Sequence, residues 1–313
     1  MNHGELGAQA ESPAQIPVRG WRQVLQRAIG KSQEHNTALL AAGVAFFAFL
    51  ALYPALIALV TLVALVADPS QIIQQAQSFT VGLPPTARAL ISDPLTALAR
   101  SDSGTRTLGL VASLLVALWS ASTGTSSLMT AVNLAYDERE TRGFLRFRAI
   151  ALLLTLGAIV FLILTLALIA VMPVVLNAVS LGAAGLLMAQ VLRWALLIAL
   201  IITGLAMIYR VAPDRNPPKF RWVSVGSVAA ALLWLLGSLG FSLYVNFFGN
   251  YNKVYGALAG VIVLLLWLYL TCYIIVLGAE INAEAERQTE YDSTVGEPKP
   301  MGERGAAVAD TVP

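Results

Sequence analysis

Charge, cysteine and histidine are all scarce in this 313-residue chain, and each shortage excludes something. Only 12% of the residues are Asp, Glu, Lys or Arg, against roughly a quarter in a soluble domain. The single cysteine, Cys272, rules out an internal disulfide. Inside an apolar run it reads as inert packing rather than a redox or metal group. The two histidines, His3 and His35, both precede the first apolar run, and no His/Asp cluster has metal-ligand spacing. P-loop, GxSxG and HExxH motifs are absent too. The chain therefore reads as no enzyme, with no cofactor and no metal, and ATP-driven pumping would need a separate subunit. A net charge of +2 is too small to suggest a nucleic-acid partner. No cleavable signal is expected, because the first apolar run starts near Thr37, too far in and too long for one.

What is present in abundance is apolar length: 57% of the chain is hydrophobic. Charge-free runs cover Thr37–Ala67, Thr107–Tyr136, Ala149–Leu192, Trp194–Tyr209, Trp222–Asn252 and Val254–Ala279. A bilayer core about 30 Å thick takes ~20 apolar residues of helix, and only helices or closed barrels satisfy their backbone there. The runs are too long and continuous for barrel strands. The expectation is an all-α polytopic membrane protein with six crossings, near 38–66, 108–135, 150–177, 186–209, 222–247 and 256–281. These lie in a membrane domain over 18–284, between a disordered N-terminus (1–17) and a disordered tail (285–313).

Basic residues sort by side. The N-terminal segment carries Arg19, Arg22, Arg27 and Lys31; the 2–3 loop Arg139, Arg142, Arg146 and Arg148; the 4–5 loop Arg210, Arg215, Lys219 and Arg221; the tail Arg287, Lys299 and Arg304. Those fifteen oppose Arg88, Arg100, Arg106, Arg193 and Lys253, five in all. The positive-inside rule then puts both termini in the cytoplasm of a multi-pass plasma-membrane protein. Residues 18–31 set Val18, Trp21, Val24, Leu25, Ala28 and Ile29 against basic residues, as in a helix lying in the cytoplasmic interface among anionic head groups; topology-setting charge is the plainer reading. The outer loop 68–106 contains two helix-like pieces and reads as a cap or a membrane-surface element.

Helix 2 is unusual. Ser120, Thr123, Gly124, Ser127 and Ala131 share one face at helical spacing. Such a stripe suits close helix packing or a polar substrate path continued by Asn133 towards a cytoplasmic mouth at Arg139, Arg142 and Arg146, where head groups would be met. Arg193, a turn or so inside helix 4, either snorkels to the outer head groups or serves function. On the outer side Asn246, Asn250 and Lys253 sit among tyrosines, as an aromatic belt or as contacts for a polar head group or sugar. Glu280, at the inner end of helix 6, pairs with a loop arginine or couples to protons. Pro54 and Pro173 would kink helices 1 and 3.

Four segments, in this order, carry a resemblance: HNTALLAAGVAFFAFLALYP (His35–Pro54), LWSASTGTSSLMTAVNLAYDERETRGFLRFR (Leu118–Arg148), RVAPDRNPPKFRW (Arg210–Trp222) and the run from Gly240 to Glu284. Over about residues 20–286 the chain resembles the YihY/BrkB family of bacterial inner-membrane proteins, with Ala51 where many members carry serine. The resemblance implies six helices and an envelope role, with transport of a lipid or lipid-linked envelope precursor as the leading expectation. A non-transporting structural or interaction protein of the envelope is the alternative. The family's older label, ribonuclease BN, is the least favoured reading, since the residues above offer no nuclease chemistry. The resemblance supplies no catalytic residues.

Overall fold

Seven helices, and no strand among the described residues, make up the computed structural model, which describes residues 6–66, 103–172, 176, 182–247 and 258–312. They are α1 (Val18–Glu34), α2 (Thr37–Val66), α3 (Ser103–Ala135), α4 (Phe144–Leu166, continued by a π turn over Ala167–Val171), α5 (Ala183–Val211), α6 (Phe220–Phe247) and α7 (Leu258–Arg287). The expected outer loop, Asn250, Lys253 and Pro173 lie outside the described residues, and Pro54 sits inside α2.

α2 to α7 each carry one of the apolar runs or part of one, Ala149–Leu192 being shared between α4 and α5. By length and composition four helices suffice to cross a bilayer alone, over Phe144–Ile169, Ala184–Val211, Phe220–Val245 and Ala259–Arg287. A fifth arises if Val18–Glu34 and Thr37–Leu52 count as one span bent by 66°. The described residues thus carry four to five candidate spans, where six crossings were expected; α3, hydroxyl-rich in its second half, is not among them.

Two helix ends explain how one end of the bundle is shaped. After α1 the chain turns at Asn36, whose φ of 51° is left-handed, and the Asn36 amide closes on the Gln33 carbonyl (3.1 Å). After α3 it turns at Asp137, φ 53°. There Glu138 N donates to Asn133 O (2.9 Å) and Asp137 N to Leu134 O (3.0 Å), the paired bonds of a Schellman cap. Asn and Asp tolerate this backbone better than other non-glycine residues.

Small residues let the helices approach closely. One buried cluster takes Ala41 and Ala45 from α2, Ala131 and Ala135 from α3, and Ala279 and Ala283 from α7. α2 packs mainly on α3 and α7, α6 on α7 and α5, α4 on α3, and α1 on α7. Large apolar side chains such as Leu39, Leu153, Leu187 and Leu236 point outward, as a lipid-facing surface requires.

The two termini differ from expectation. Residues 6–16 and 288–312, expected to be disordered, are placed against one end of the bundle, beside Trp222 and the α5–α6 loop. Ala10 and Ile16 bury against Trp222 with Trp21 beside them. Thr289 Oγ1 donates to Ala10 O (2.6 Å), Glu290 N to Ala8 O (2.8 Å), and Asn216 N to Gly305 O (2.9 Å). Low hydrophobicity argues for disorder only when a segment must build its own core. Here the order comes from hydrogen bonds to other segments and from burying Ala306, Val308 and Ala309.

α1 also turns differently from its sequence reading. Gly20, Val24, Ala28 and Ser32 form the buried side of a helix that packs on α7, while Val18, Leu25 and Ile29 stay exposed. Trp21 is held by protein rather than standing free as an anchor.

Candidate functional site

The end of the bundle that carries both termini holds an ionic cap built from α1, α7 and three loops. On α7, Glu280, Glu284 and Arg287 follow at i, i+4 and i+7, one face of a helix. That face meets α1. Arg27 Nε donates to Glu284 Oε2 (2.6 Å), and its Nη2 reaches Gln288 Oε1 (2.7 Å). Arg287 bridges Glu284 and Asp137, the latter at 2.6 Å. His35 lies at the centre, its Nδ1 2.8 Å from Glu280 Oε1 and its Nε2 3.2 Å from Asp137 Oδ1. Glu280, expected to pair with a loop arginine, is thus paired with His35; its second oxygen, Oε2, is buried and accepts no hydrogen bond from the described residues.

The other side of α7 carries a second pair. Arg215 in the α5–α6 loop grips Glu286 with both nitrogens, at 2.7 and 3.3 Å, and neither side chain has any exposed surface. Ser293 Oγ adds a hydrogen bond to Glu286 Oε2 (2.7 Å), and the guanidinium lies 5.1 Å from the Tyr136 ring. Asn282 locks α7 to α6, accepting from Gly226 N (2.7 Å) and donating to Val223 O (3.2 Å).

A third knot joins the α3–α4 and α5–α6 loops. Asn133 Nδ2 donates to Glu140 Oε2 (2.8 Å), and Asp214 N donates to Asn133 Oδ1 (2.7 Å). Arg142 binds Glu140 and the Ala212 carbonyl, leaving its side chain only 4% exposed. Of the residues assigned to a cytoplasmic mouth, Arg142 is therefore committed to protein, whereas Arg139 and Arg146 are exposed.

Charges in the cap shift as these contacts require. The hydrogen bond to Glu280 outweighs burial and raises His35 above its usual value of 6.5. Burial opposes ionisation of Asp137, but the Arg287 bond and the charges of Lys31 and His35 hold its carboxyl below the usual range. Burial raises Glu138. The sign for stability follows. A group whose pKa is higher folded than unfolded contributes fully below the unfolded value, and its contribution fades as pH rises through the folded value. Purified protein should thus lose on the order of 1 kcal/mol of stability between pH 6 and alkaline pH, the scale of a hydrogen bond to a charged group. Thermal unfolding of wild type and His35→Gln at both pH values checks this: the variant should be less stable at pH 6 and show a flatter pH profile. A wild-type profile as flat as the variant's would contradict the paired imidazolium.

The α3 face divides among neighbours. A side chain at Gly124 would come within 3.1 Å of Ala48 Cα and 3.3 Å of Phe47 O, so this position carries the α2–α3 contact. Thr125 Oγ1 meets Thr155 Oγ1 of α4 at 2.8 Å. Ser127 Oγ donates back to Thr123 O (3.1 Å), and Ser120 is half-buried. Because α4 begins at Phe144, Arg148 stands in its first turns rather than in a loop, and reaches this face. Its Nη1 donates to Ser126 Oγ (3.0 Å), its Nη2 to Trp119 O (2.8 Å), and the guanidinium lies 4.3 Å over the Trp119 ring. Arg193 stacks 5.5 Å over Trp194, with Nε shielded and unbonded among the described residues. Asn246 falls at the end of α6. Among the described residues no three His, Cys, Asp or Glu group to hold a metal ion.

Sequence reading missed His35, Asp137, Arg215, Glu286 and Arg148 as site residues. The α7 spacing of Glu280, Glu284 and Arg287 was the available signal; their partners lie far away in sequence.

Long apolar helices, a small-residue core and lipid-facing leucines define a multi-pass helical membrane protein. The match to the family described as virulence factor BrkB covers residues 28–302, and the chain belongs to that family. It is 35% identical over 191 residues to a Bacillus subtilis protein named ribonuclease-like protein YfkH, covering 59% of this chain and 67% of that one. It is 41% identical over 93 residues to a UPF0761 membrane protein of Idiomarina loihiensis, covering 30% and 31% of the two chains. Against a UPF0761 membrane protein of Cronobacter sakazakii it is 45% identical over 76 residues, covering 24% and 26%. The matched stretches thus span less than a third of these two UPF0761 proteins. No solved structure matches.

Proposed function

We propose that this protein is a non-enzymatic inner-membrane protein of bacteria, with both termini cytoplasmic, that moves a lipid or a lipid-linked envelope precursor. The observation that supports this is the polar row of α3. Thr123, Ser126, Ser127, Thr130 and Asn133 follow one another along one side of the helix, where α4 adds Arg148, and the row ends at Asn133 in the knot with Glu140 and Asp214. Polar side chains within a membrane bundle are costly unless packed or used. Gly124 belongs to the α2 contact, so a bulky residue there tests helix packing and not the path.

Transport is tested by Thr123→Val with Ser127→Ala, which removes two hydroxyls at nearly constant volume. In proteoliposomes this pair should slow movement of fluorescent lipid about tenfold, as losing interactions worth ~1.4 kcal/mol would, with thermal stability retained. Unchanged movement in a stable pair would leave α3 as packing.

One observation favours a second reading, a structural or interaction protein of the envelope: the inner end is closed by buried ion pairs and by the tail. Lipid movement no faster than in empty liposomes would select it. The nuclease reading, suggested by the name of YfkH, has the least support: among the described residues no three His, Cys, Asp or Glu side chains group to hold a metal ion. Purified protein should leave tRNA precursors uncut.

A further inference from the structure

Arg148 is a cation without a counter-ion. It makes no ion pair with any described residue, and all its hydrogen-bond partners are neutral: Ser126 Oγ at 3.0 Å, Trp119 O at 2.8 Å and, at the limit, Thr123 Oγ1 at 3.5 Å. Its Nε is shielded and has no partner among the described residues. Arg27, Arg142, Arg215 and Arg287 each hold a carboxylate, and the buried Arg304 donates to three backbone carbonyls. Arg148 instead lies 4.3 Å from the centre of an indole ring.

The surroundings are built and partly open. Ser126 Oγ is itself oriented by donating to Ser122 O (2.8 Å), which leaves its lone pairs for Arg148. Ser122 Oγ donates to the same Trp119 carbonyl (2.7 Å) that Arg148 uses. The guanidinium is thus held in place before any ligand arrives. Trp119 is 46% exposed and lies 6.3 Å from the Phe144 ring; Phe144, Leu145 and Leu115 around it are exposed as well. A fixed cation beside exposed aromatic and aliphatic side chains, in the first turns of an apolar helix, matches a molecule that is anionic at one end and apolar at the other. A half-buried guanidinium with no carboxylate partner among the described residues favours an anion, because a charge beside apolar surface is stabilised by its counter-ion. Arginine's planar fork suits the oxygens of a phosphate.

The geometry points to Arg148, with Trp119 and Ser126, as a binding site for the phosphate of an anionic membrane lipid. This deepens the transport reading by naming the chemistry that the α3 row would meet, and it rests on that reading only for its purpose. Binding itself stands or falls alone.

The test is a thermal-shift titration of the full chain in mild detergent with short-chain phosphatidylglycerol. Phosphatidylcholine of equal chain length and inorganic phosphate are the comparison ligands. Wild type should be stabilised by phosphatidylglycerol at lower concentration than by phosphatidylcholine, and not by inorganic phosphate. Arg148→Gln should need about tenfold more phosphatidylglycerol, the scale of a lost hydrogen bond to a charged group. Arg148→Lys should recover part of that, keeping charge without the fork, and Arg221→Gln, at an exposed arginine on the first turn of α6, should titrate as wild type. Should Arg148→Gln fail to fold, Trp119→Leu, which spares the backbone carbonyl, should weaken binding several-fold. A titration unmoved in Arg148→Gln, or in Trp119→Leu if only that variant folds, would overturn the site. Equal response to phosphatidylcholine would overturn its anion preference, and equal response to inorganic phosphate would overturn the lipid. If phosphatidylglycerol binds as described but no lipid moves in proteoliposomes, the transport reading fails and the site remains. If lipid moves while the Arg148→Gln titration is unchanged, the site fails and transport remains.

Discussion

Replacing Glu286 by Gln is expected to destabilise the protein by about 3–5 kcal/mol, the range for breaking a buried ion pair from one side. Arg215 and Glu286 have no exposed surface, and their paired bonds at 2.7 and 3.3 Å are the means by which the α5–α6 loop holds α7. Glutamine keeps the shape and the bond from Ser293 but removes the charge, stranding a buried guanidinium beside Tyr136. Two buried charges gain little from each other once desolvation is counted, so removing both should cost much less than removing one. Arg215→Met with Glu286→Leu is therefore expected to be closer to wild type than Glu286→Gln alone. Thermal unfolding of purified protein measures both. A double variant less stable than the single one would show that hydrogen-bond geometry, rather than charge balance, dominates here.

Gly226→Ala should be comparably damaging through sterics alone. A methyl at Gly226 would run into the Gly278 carbonyl of α7 and come within 2.5 Å of Asn282 Cγ, and one at Gly278 would meet Tyr209 and Ala230. The two glycines mark where α6 and α7 touch backbone to backbone. Overpacking costs about 1–3 kcal/mol where neighbours can move. Here the obstacle is main chain, and displacing it also breaks the Gly226–Asn282 bond (2.7 Å). The expected result is a loss at or above the top of that range, seen as reduced yield of folded protein and a lower unfolding temperature. Gly240→Ala and Gly260→Ala are the controls: nothing lies within 4 Å of either added methyl. They should be neutral or gain up to about 1 kcal/mol from helix propensity. A Gly226→Ala protein as stable as the controls would mean the α6–α7 contact yields more easily than its geometry suggests.

The helices were legible because apolar runs of more than twenty residues admit few alternatives. Individual contacts were not. His35 and Glu280 stand 245 residues apart, His35 and Asp137 102, and Arg215 and Glu286 71. No local rule brings such pairs together. The charges themselves were visible, but in a positive-inside loop arginines look alike, so Arg142, clamped on Glu140, and Arg139, exposed, read the same way. Arg148 escaped for a related reason: α4 was expected to start near residue 150, and its start at Phe144 carries Arg148 to the α3 face. The helix 2 stripe follows from spacing alone; that Gly124 would meet α2 while Ser126 met α4 depends on which neighbour stands where. The termini were misjudged because their order is borrowed from the loops they cover.

Everything proposed for the cap depends on its facing the cytoplasm, and labelling of a single introduced cysteine addresses that side directly. Ser224 is exposed on the first turn of α6, and its hydroxyl bonds only its own helix, to Arg221 O at 2.9 Å. With Cys272 buried, Ser224→Cys supplies one accessible thiol. A membrane-impermeant maleimide should leave it unmodified in intact cells and label it after lysis. Labelling of Ser224→Cys in intact cells would contradict the cytoplasmic placement of the cap and, with it, the direction assigned to the α3 row.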